Sequence, residues 1–297
     1  MVEENRKKAV AKTLAHLVEK ALIEEVSLSP KPGLVDALDT GAHGDMDLAL
    51  FLKSAKTLTP FFEEMARVSW NHPIDQKLRE NIAEIGRAAE KEMMAATNGI
   101  NTHKGAIWVM GLLISVISQR ISKEKSLRFA AVFSEVSRLA AFPDSRYQPK
   151  KASHGHVVKQ KYGVNGAYEE AVLGYPHLSL ALEAYKAFPG ASNKQKQLHM
   201  LLTLMSTVED TCVLHRSDRQ TLIEMQELAK KASQKKWPNP NFLVLADFCQ
   251  KKHISPGGSA DLLSASIFLL SVEAWAAKTK NLKISARFDL NTIEMMN

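Results

Sequence analysis

Apolar positions recur along most of the chain at three- and four-residue spacing, the period that places them on one face of an α-helix. Val10, Leu14, Leu17, Ala21 and Leu22 predict an amphipathic helix over residues 5–25. A second helix is predicted from near Asp45, its N-cap, to about Val68, with a break near Pro60. Ile74, Leu78, Ile82, Ile85, Ala89 and Met93 give a narrow core-facing stripe over 74–96. The run from Ala106 to Ser118 is apolar on nearly every side, which marks a central, buried helix. An amphipathic pattern covers 126–141, residues 142–163 read as loop, and short helices are expected at 165–173 and 178–187. Further helices are expected at 194–214, 218–235, 240–252 and 259–278. The tail, 281–297, alternates weakly and reads as a short strand or extended chain. With no repeat and no long linker, the expectation is one all-α domain over 1–297, about ten helices around a central buried helix.

Composition narrows the partners. The chain has 297 residues, 45% hydrophobic and 24% charged, an ordinary globular balance with ample material for a core. Its formal net charge of +7 points to anionic partners. The basic residues fall in short clusters such as Lys230-Lys231 and Lys235-Lys236, without interleaved aromatics or a nucleic-acid motif. Solvated helix ends explain them, so small anions are expected rather than nucleic acid. No apolar run approaches the roughly 20 residues that span a bilayer, and no apolar signal core follows the N-terminus, so no membrane partner is expected. Cys212 and Cys249 form no metal or redox spacing, which suits a reducing cytoplasm.

Four polar stretches share one construction: each sets glycine and hydrogen-bonding residues beside a predicted helix end. They are 29–47, 98–105, 206–218 and 255–261. Helix N-termini carry unpaired N–H groups and partial positive charge, so they suit phosphates. Thr102 reads as an N-cap, yet His103 and Lys104 then occupy the first turn of the most apolar helix. Cations there oppose the helix dipole at about 0.3–1 kcal/mol each. An anion between them would reverse that cost; a Lys104 snorkelling to solvent is the plainer alternative. Lys31 stands between two prolines, held extended and suited to phosphate contact or simply to a turn. His43 and Asp45 could be a general base or metal ligands, while Asp47 reads as an exposed first-turn acid. Gly257 and Gly258 would let a ligand approach backbone N–H groups. Asp210 falls inside a predicted apolar helix, where an unpaired carboxylate is costly, so a metal or cation partner such as Arg216 is expected. Pooled, Lys31, Lys104 and Arg216 can bind anions, and Asp36, Asp45, Asp210 and Asp261 can hold Mg²⁺. That inventory suits an enzyme acting on a nucleotide polyphosphate, although no Walker or dinucleotide fingerprint is present.

The motifs together go further. Ser29-Pro-Lys-Pro-Gly-Leu-Val-Asp36, Gly41-Ala-His43, Asp45-Met46, Ile100-Asn-Thr-His-Lys-Gly105 and Ser255-Pro-Gly-Gly-Ser-Ala-Asp-Leu-Leu263 occur in the order of one family, with a weaker middle match through Gly174-Tyr175-Pro176. The chain resembles the triphosphoribosyl-dephospho-CoA synthases. The resemblance implies an all-α transferase that joins ATP to 3′-dephospho-CoA and releases adenine. Its product would be the prosthetic-group precursor for the acyl carrier protein of citrate lyase or malonate decarboxylase, passed on to a prosthetic-group transferase. It implies Mg²⁺ with ATP. The roles expected are Asp45 or His43 as base; Lys31, Asn101, His103, Lys104, Arg216, Gly257 and Gly258 on ATP; and Asp210, Asp261 and Asp36 on metal. Where the family has Asn and then Arg-Gly-Gly, this chain has Cys212 and Arg216-Ser217-Asp218, and where it has Gly-Ala-Arg, this chain has Gly166-Ala167-Tyr168. These changes weaken a backbone anion nest and remove one phosphate contact. The rival classes are a Mg²⁺-dependent nucleotide hydrolase or kinase, and a non-enzymatic helical protein that binds polyanions.

Overall fold

The structure, a computed structural model, describes residues 1–147 and 154–285. Among these the chain is all α-helix, in thirteen segments. They are α1 (Val2–Ser27), α2 (Leu48–Ser69), α3 (Gln76–Ala96), α4 (Lys104–Ser122), α5 (Phe129–Ala141), α6 (His154–Tyr162), α7 (Ala167–Val172), α8 (Pro176–Lys186), α9 (Asn193–Thr207), α10 (Thr211–Arg216), α11 (Arg219–Ser233), α12 (Pro240–Lys251) and α13 (Gly257–Ser285).

The all-round apolar pattern of α4 places it at the centre, as expected. It packs against α1, α2, α3, α5, α7 and α13, and an unbroken buried run extends from Val109 to Arg120. Each fully buried Leu or Ile there contributes roughly 1.5–3 kcal/mol. By length and composition α4 and the first part of α13 could cross a bilayer, but 83% and 50% of those segments are buried inside the protein.

Several boundaries differ from the sequence pattern, each for a local reason. Asp47, not Asp45, caps α2: its carboxylate accepts the Leu50 N–H at 2.8 Å. Pro60 lies within α2 without ending it, because Leu58 and Phe62 are both fully buried and packing outweighs the lost hydrogen bond. Thr102 does not cap α4; its hydroxyl turns to Ser54, and Asn101 Oδ1 accepts the Lys104 N–H instead. The predicted 194–214 helix is two helices, α9 and α10, joined through Val208–Asp210. The stretch read as loop over 142–163 contains α6. The tail is helical as far as Ser285, and the rest of the predicted strand lies outside the described residues.

Candidate active site

All four polar stretches open on one cavity of about 1860 Å³. A single small-molecule pocket usually measures about 300–1,000 Å³, so this space can hold two large ligands side by side. Lys31, His43, Asp45, Asn101, His103, Lys104, Asp210, Arg216, Gly257, Gly258 and Asp261 all line it. Asp36 does not.

The loop after α9 turns Asp210 toward the start of α13. Its carboxylate accepts the Ser259 N–H at 2.9 Å, the Ser259 hydroxyl at 3.0 Å and the Gly258 N–H at 3.3 Å, and it also caps α10 through the Cys212 N–H at 3.0 Å. Asp210 is therefore not a lone acid inside a helix. It is an internal anion seated on a helix N-terminus, which satisfies the donors that the sequence pattern offered to phosphate. A Cβ on Gly258 would come within 3.3 Å of the carboxylate, so the glycine makes the approach possible. Burial raises the Asp210 pKa, with the Ser259, Cys212 and Gly258 hydrogen bonds opposing.

Asp261, one turn into α13, lies over the first turn of α4. A Cβ built on Gly105 would overlap its Oδ2. The Ala106 N–H is its hydrogen-bond donor, and no cation pairs with it among the described residues. Burial, then the carboxylates of Glu25 and Asp210, push its pKa well above the ordinary aspartate value. Its carboxyl faces the cavity with the protonated form favoured by that burial.

Glu25 sits in the buried stripe of α1 and pairs with the Lys31 ammonium, which also donates to the Glu25 carbonyl at 2.8 Å. Burial raises the Glu25 pKa, with Lys31 opposing. The charge of Lys31 is thus committed within the wall of the cavity. Asp36 holds the loop together: its carboxylate accepts the N–H groups of Lys31, Leu38 and Asp39 at 2.7, 2.7 and 3.0 Å.

His103 is buried at the start of α4. Thr102 donates to Ser54, so the Ser54 proton is free to go to His103 Nδ1 at 2.7 Å. That assignment places the imidazole proton on Nε2, which has no partner. Burial, then Lys31, push the His103 pKa down to about 3. His103 is consequently a neutral donor rather than the expected cation. Lys104 is half-exposed and paired with Glu90.

At the rim, Arg216 donates to His43 Nδ1 at 3.1 Å and to the Ala42 carbonyl at 3.4 Å. Burial and then Arg216 lower the His43 pKa, against the pull of Asp45 at 3.6 Å. With Nδ1 accepting from Arg216, His43 presents an Nε2–H donor, and Asp45 beside it is the exposed carboxylate of the pair.

Among the described residues, no three His, Cys, Asp or Glu side chains converge on a metal position. Asp36 and Asp210 spend their oxygens on protein N–H and O–H groups, Asp36 lies outside the cavity, and Asp261 is held at the first turn of α4, so the three acids expected on Mg²⁺ do not converge on a resident ion. Sequence reasoning missed Glu25, Ser54 and Tyr175, all of which bear on the cavity. Glu25 could have been found: it continues the Ala21–Leu22 face of α1 as a charged residue on an apolar stripe.

The cavity thus has exposed cations, Lys91, Lys104 and Arg216, at its edge and buried acids within. Comparison with known proteins gives this arrangement its context. The model of the CitG family, ATP:dephospho-CoA triphosphoribosyl transferase, matches residues 11–280. A 2-(5''-triphosphoribosyl)-3'-dephosphocoenzyme-A synthase from Klebsiella pneumoniae is 40% identical over 269 residues, covering 86% of this chain and 93% of its own. A relative from Pseudomonas fluorescens (strain Pf0-1), with the same name qualified as probable, is 40% identical over 273 residues, covering 89% and 93%. A solved structure from Archaeoglobus fulgidus, described as a triphosphoribosyl-dephospho-coA synthase with the assignment likewise qualified, aligns at a TM-score of 0.49 and 22% identity over 75% of this chain and 99% of that one. The chain belongs to the CitG family, the ATP:dephospho-CoA triphosphoribosyl transferases.

Proposed function

We propose that this cavity joins the C1′ carbon of ATP to the 2′-hydroxyl of 3′-dephospho-CoA, releasing adenine and keeping the triphosphate whole. The carrying observation is the division of the cavity into exposed cations and buried carboxyls. Polyphosphate belongs at the edge, where Lys104 and Arg216 are accessible, with Asn101 fixing the loop before α4. The reacting ribose belongs near the acids, because positive charge develops on the ring as the glycosidic bond breaks. Asp261 gives its proton to adenine as the C1′–N9 bond breaks and the electron pair leaves with the base. Asp45 takes the proton of the 2′-hydroxyl as the new C1′–O bond forms. His43 stays neutral beside it, anchored by Arg216. Lys31, Asp36, Asp210, Gly257 and Gly258 shape the wall rather than grip phosphate, and His103 contributes a neutral donor.

Mg²⁺ enters on this reading with ATP, as part of the substrate. The product would serve as the prosthetic-group precursor of the acyl carrier protein of citrate lyase or malonate decarboxylase, through a prosthetic-group transferase in the cytoplasm. Nucleic acid and membranes play no part in it. Mass spectrometry of the product tests the reading. Dephospho-CoA should gain one triphosphoribosyl unit with all three phosphates; transfer of a phosphoryl or adenylyl group would refute it.

A further inference from the structure

Tyr175 stands at the junction of α7 and α8 in a conformation its neighbours do not favour. Gly174 closes α7 in the left-handed region at φ +77°, as glycine commonly does. Tyr175 follows at φ +55° and ψ +59°, also left-handed. For a bulky aromatic residue this is a strained backbone, and the residue before a proline ordinarily takes an extended form. Its N–H donates to the Glu170 carbonyl at 2.9 Å, so the turn is held by hydrogen bonding and not left open. The strain carries the ring inward: Tyr175 is 1% exposed and lines the cavity. Its hydroxyl has no hydrogen-bond partner. A buried phenol without a partner costs stability, and a strained backbone that maintains one is the pattern of a residue kept for a ligand.

The surroundings select the ligand. The acids nearest the phenol are the carboxyls of Asp261 and of Glu170, which pairs with His177 at 2.7 Å, while the accessible lysines and arginine lie at the cavity's edge. A phosphate would be disfavoured beside those carboxyls. The uncharged ring nitrogens and ribose oxygens of a nucleoside would not, and they can accept from an O–H.

Resting on the transferase reading above, we infer that Tyr175 is a substrate-contacting residue whose phenol donates a hydrogen bond to the nucleoside part of ATP, beside Asp261. Burial, then Glu170 and Asp261, raise its pKa, so the phenol remains a donor throughout the working pH range. The turn Gly174-Tyr175-Pro176 is thereby a specificity element that reads the nucleoside and leaves the triphosphate to the edge.

The test uses the full chain, Tyr175→Phe, and two probes measured by calorimetry: adenosine, and inorganic tripolyphosphate. The variant should fold with an unchanged or higher melting temperature, because it loses an unpartnered group. Adenosine affinity should fall about tenfold, the scale of one well-placed hydrogen bond, while tripolyphosphate binding stays as in the parent. Unchanged adenosine affinity, a loss confined to tripolyphosphate, or a parent protein that does not bind adenosine would each overturn the inference. Both probes are read without turnover. A parent that binds adenosine through Tyr175 but forms no triphosphoribosyl product would sink the transferase reading alone.

Discussion

Gly105 and Asp261 occupy one space: the side chain that residue 105 lacks is where the Asp261 carboxylate lies. Two helix N-termini, those of α4 and α13, meet through this pair. The glycine in the Asn-Thr-His-Lys-Gly motif and the aspartate in Ser-Pro-Gly-Gly-Ser-Ala-Asp are thus one structural unit, far apart in sequence.

Gly105→Ala should accordingly displace Asp261 and cost about 1–3 kcal/mol of stability. Urea denaturation measures it. In a Gly105→Ala background, Asp261→Ala should recover most of that stability without recovering activity. If the single variant is as stable as the parent, the two residues do not share the space described.

Asp261→Asn copies the shape of a protonated carboxyl and lacks its transferable proton. It should fold normally and lose about 10²–10⁴-fold in adenine release. Stability should report the same proton. The raised folded pKa means that the native state keeps a proton the unfolded chain gives up near 3.8. Its stabilising contribution is full below that pH and is lost as pH rises through the folded pKa. The parent's stability should therefore decline with rising pH relative to the Asn variant. Glu25, Asp210 and Tyr175 face the same group and are common to both proteins. Parallel stability curves for the two would place the charge on Asp261 at neutral pH and remove its role as acid.

His103 should show no titration above pH 5, since its pKa is pushed down to about 3. Nitrogen NMR should find the proton on Nε2, and Ser54→Ala should perturb that tautomer. The linkage sign follows: a depressed folded pKa gives stability that is present above 6.5 and lost as pH falls toward 3. A titration midpoint near 6.5 would restore the cationic, phosphate-binding role expected from sequence.

Lys104→Ala removes a half-exposed ion pair with Glu90, and pairs of that kind contribute only about 0–1 kcal/mol after solvent screening. Stability should barely change, while the KM for ATP rises about tenfold. ATP binding equal to the parent's would move the triphosphate away from this edge.

Periodicity carried most of the fold because the dominant forces are local in register: the stripe of α3 and the all-round apolar run of α4 each announce what they bury. The gathering of the four polar stretches was legible as well, since glycine and polar residues cost stability where nothing uses them. Their individual assignments were not. Whether Asp210 meets a metal, a cation or a helix N-terminus depends on a contact with Ser259, across nearly fifty residues. Likewise, Lys31 reads as a free cation until α1 brings Glu25 against it. Charge neutralisation in a cavity is a three-dimensional property, and hydrophobic spacing does not encode it. Tyr175 was legible only as part of the Gly174-Tyr175-Pro176 turn; its left-handed backbone and unpartnered hydroxyl exist only in three dimensions.

The central claim is that this cavity breaks the bond between adenine and the ATP ribose only to make a bond to dephospho-CoA. Counting free adenine against dephospho-CoA consumed, with Mg²⁺ and ATP present, tests it most directly. One adenine should appear for each dephospho-CoA consumed, and none when dephospho-CoA is omitted. Adenine released without the acceptor, or ADP or AMP in its place, would contradict the account.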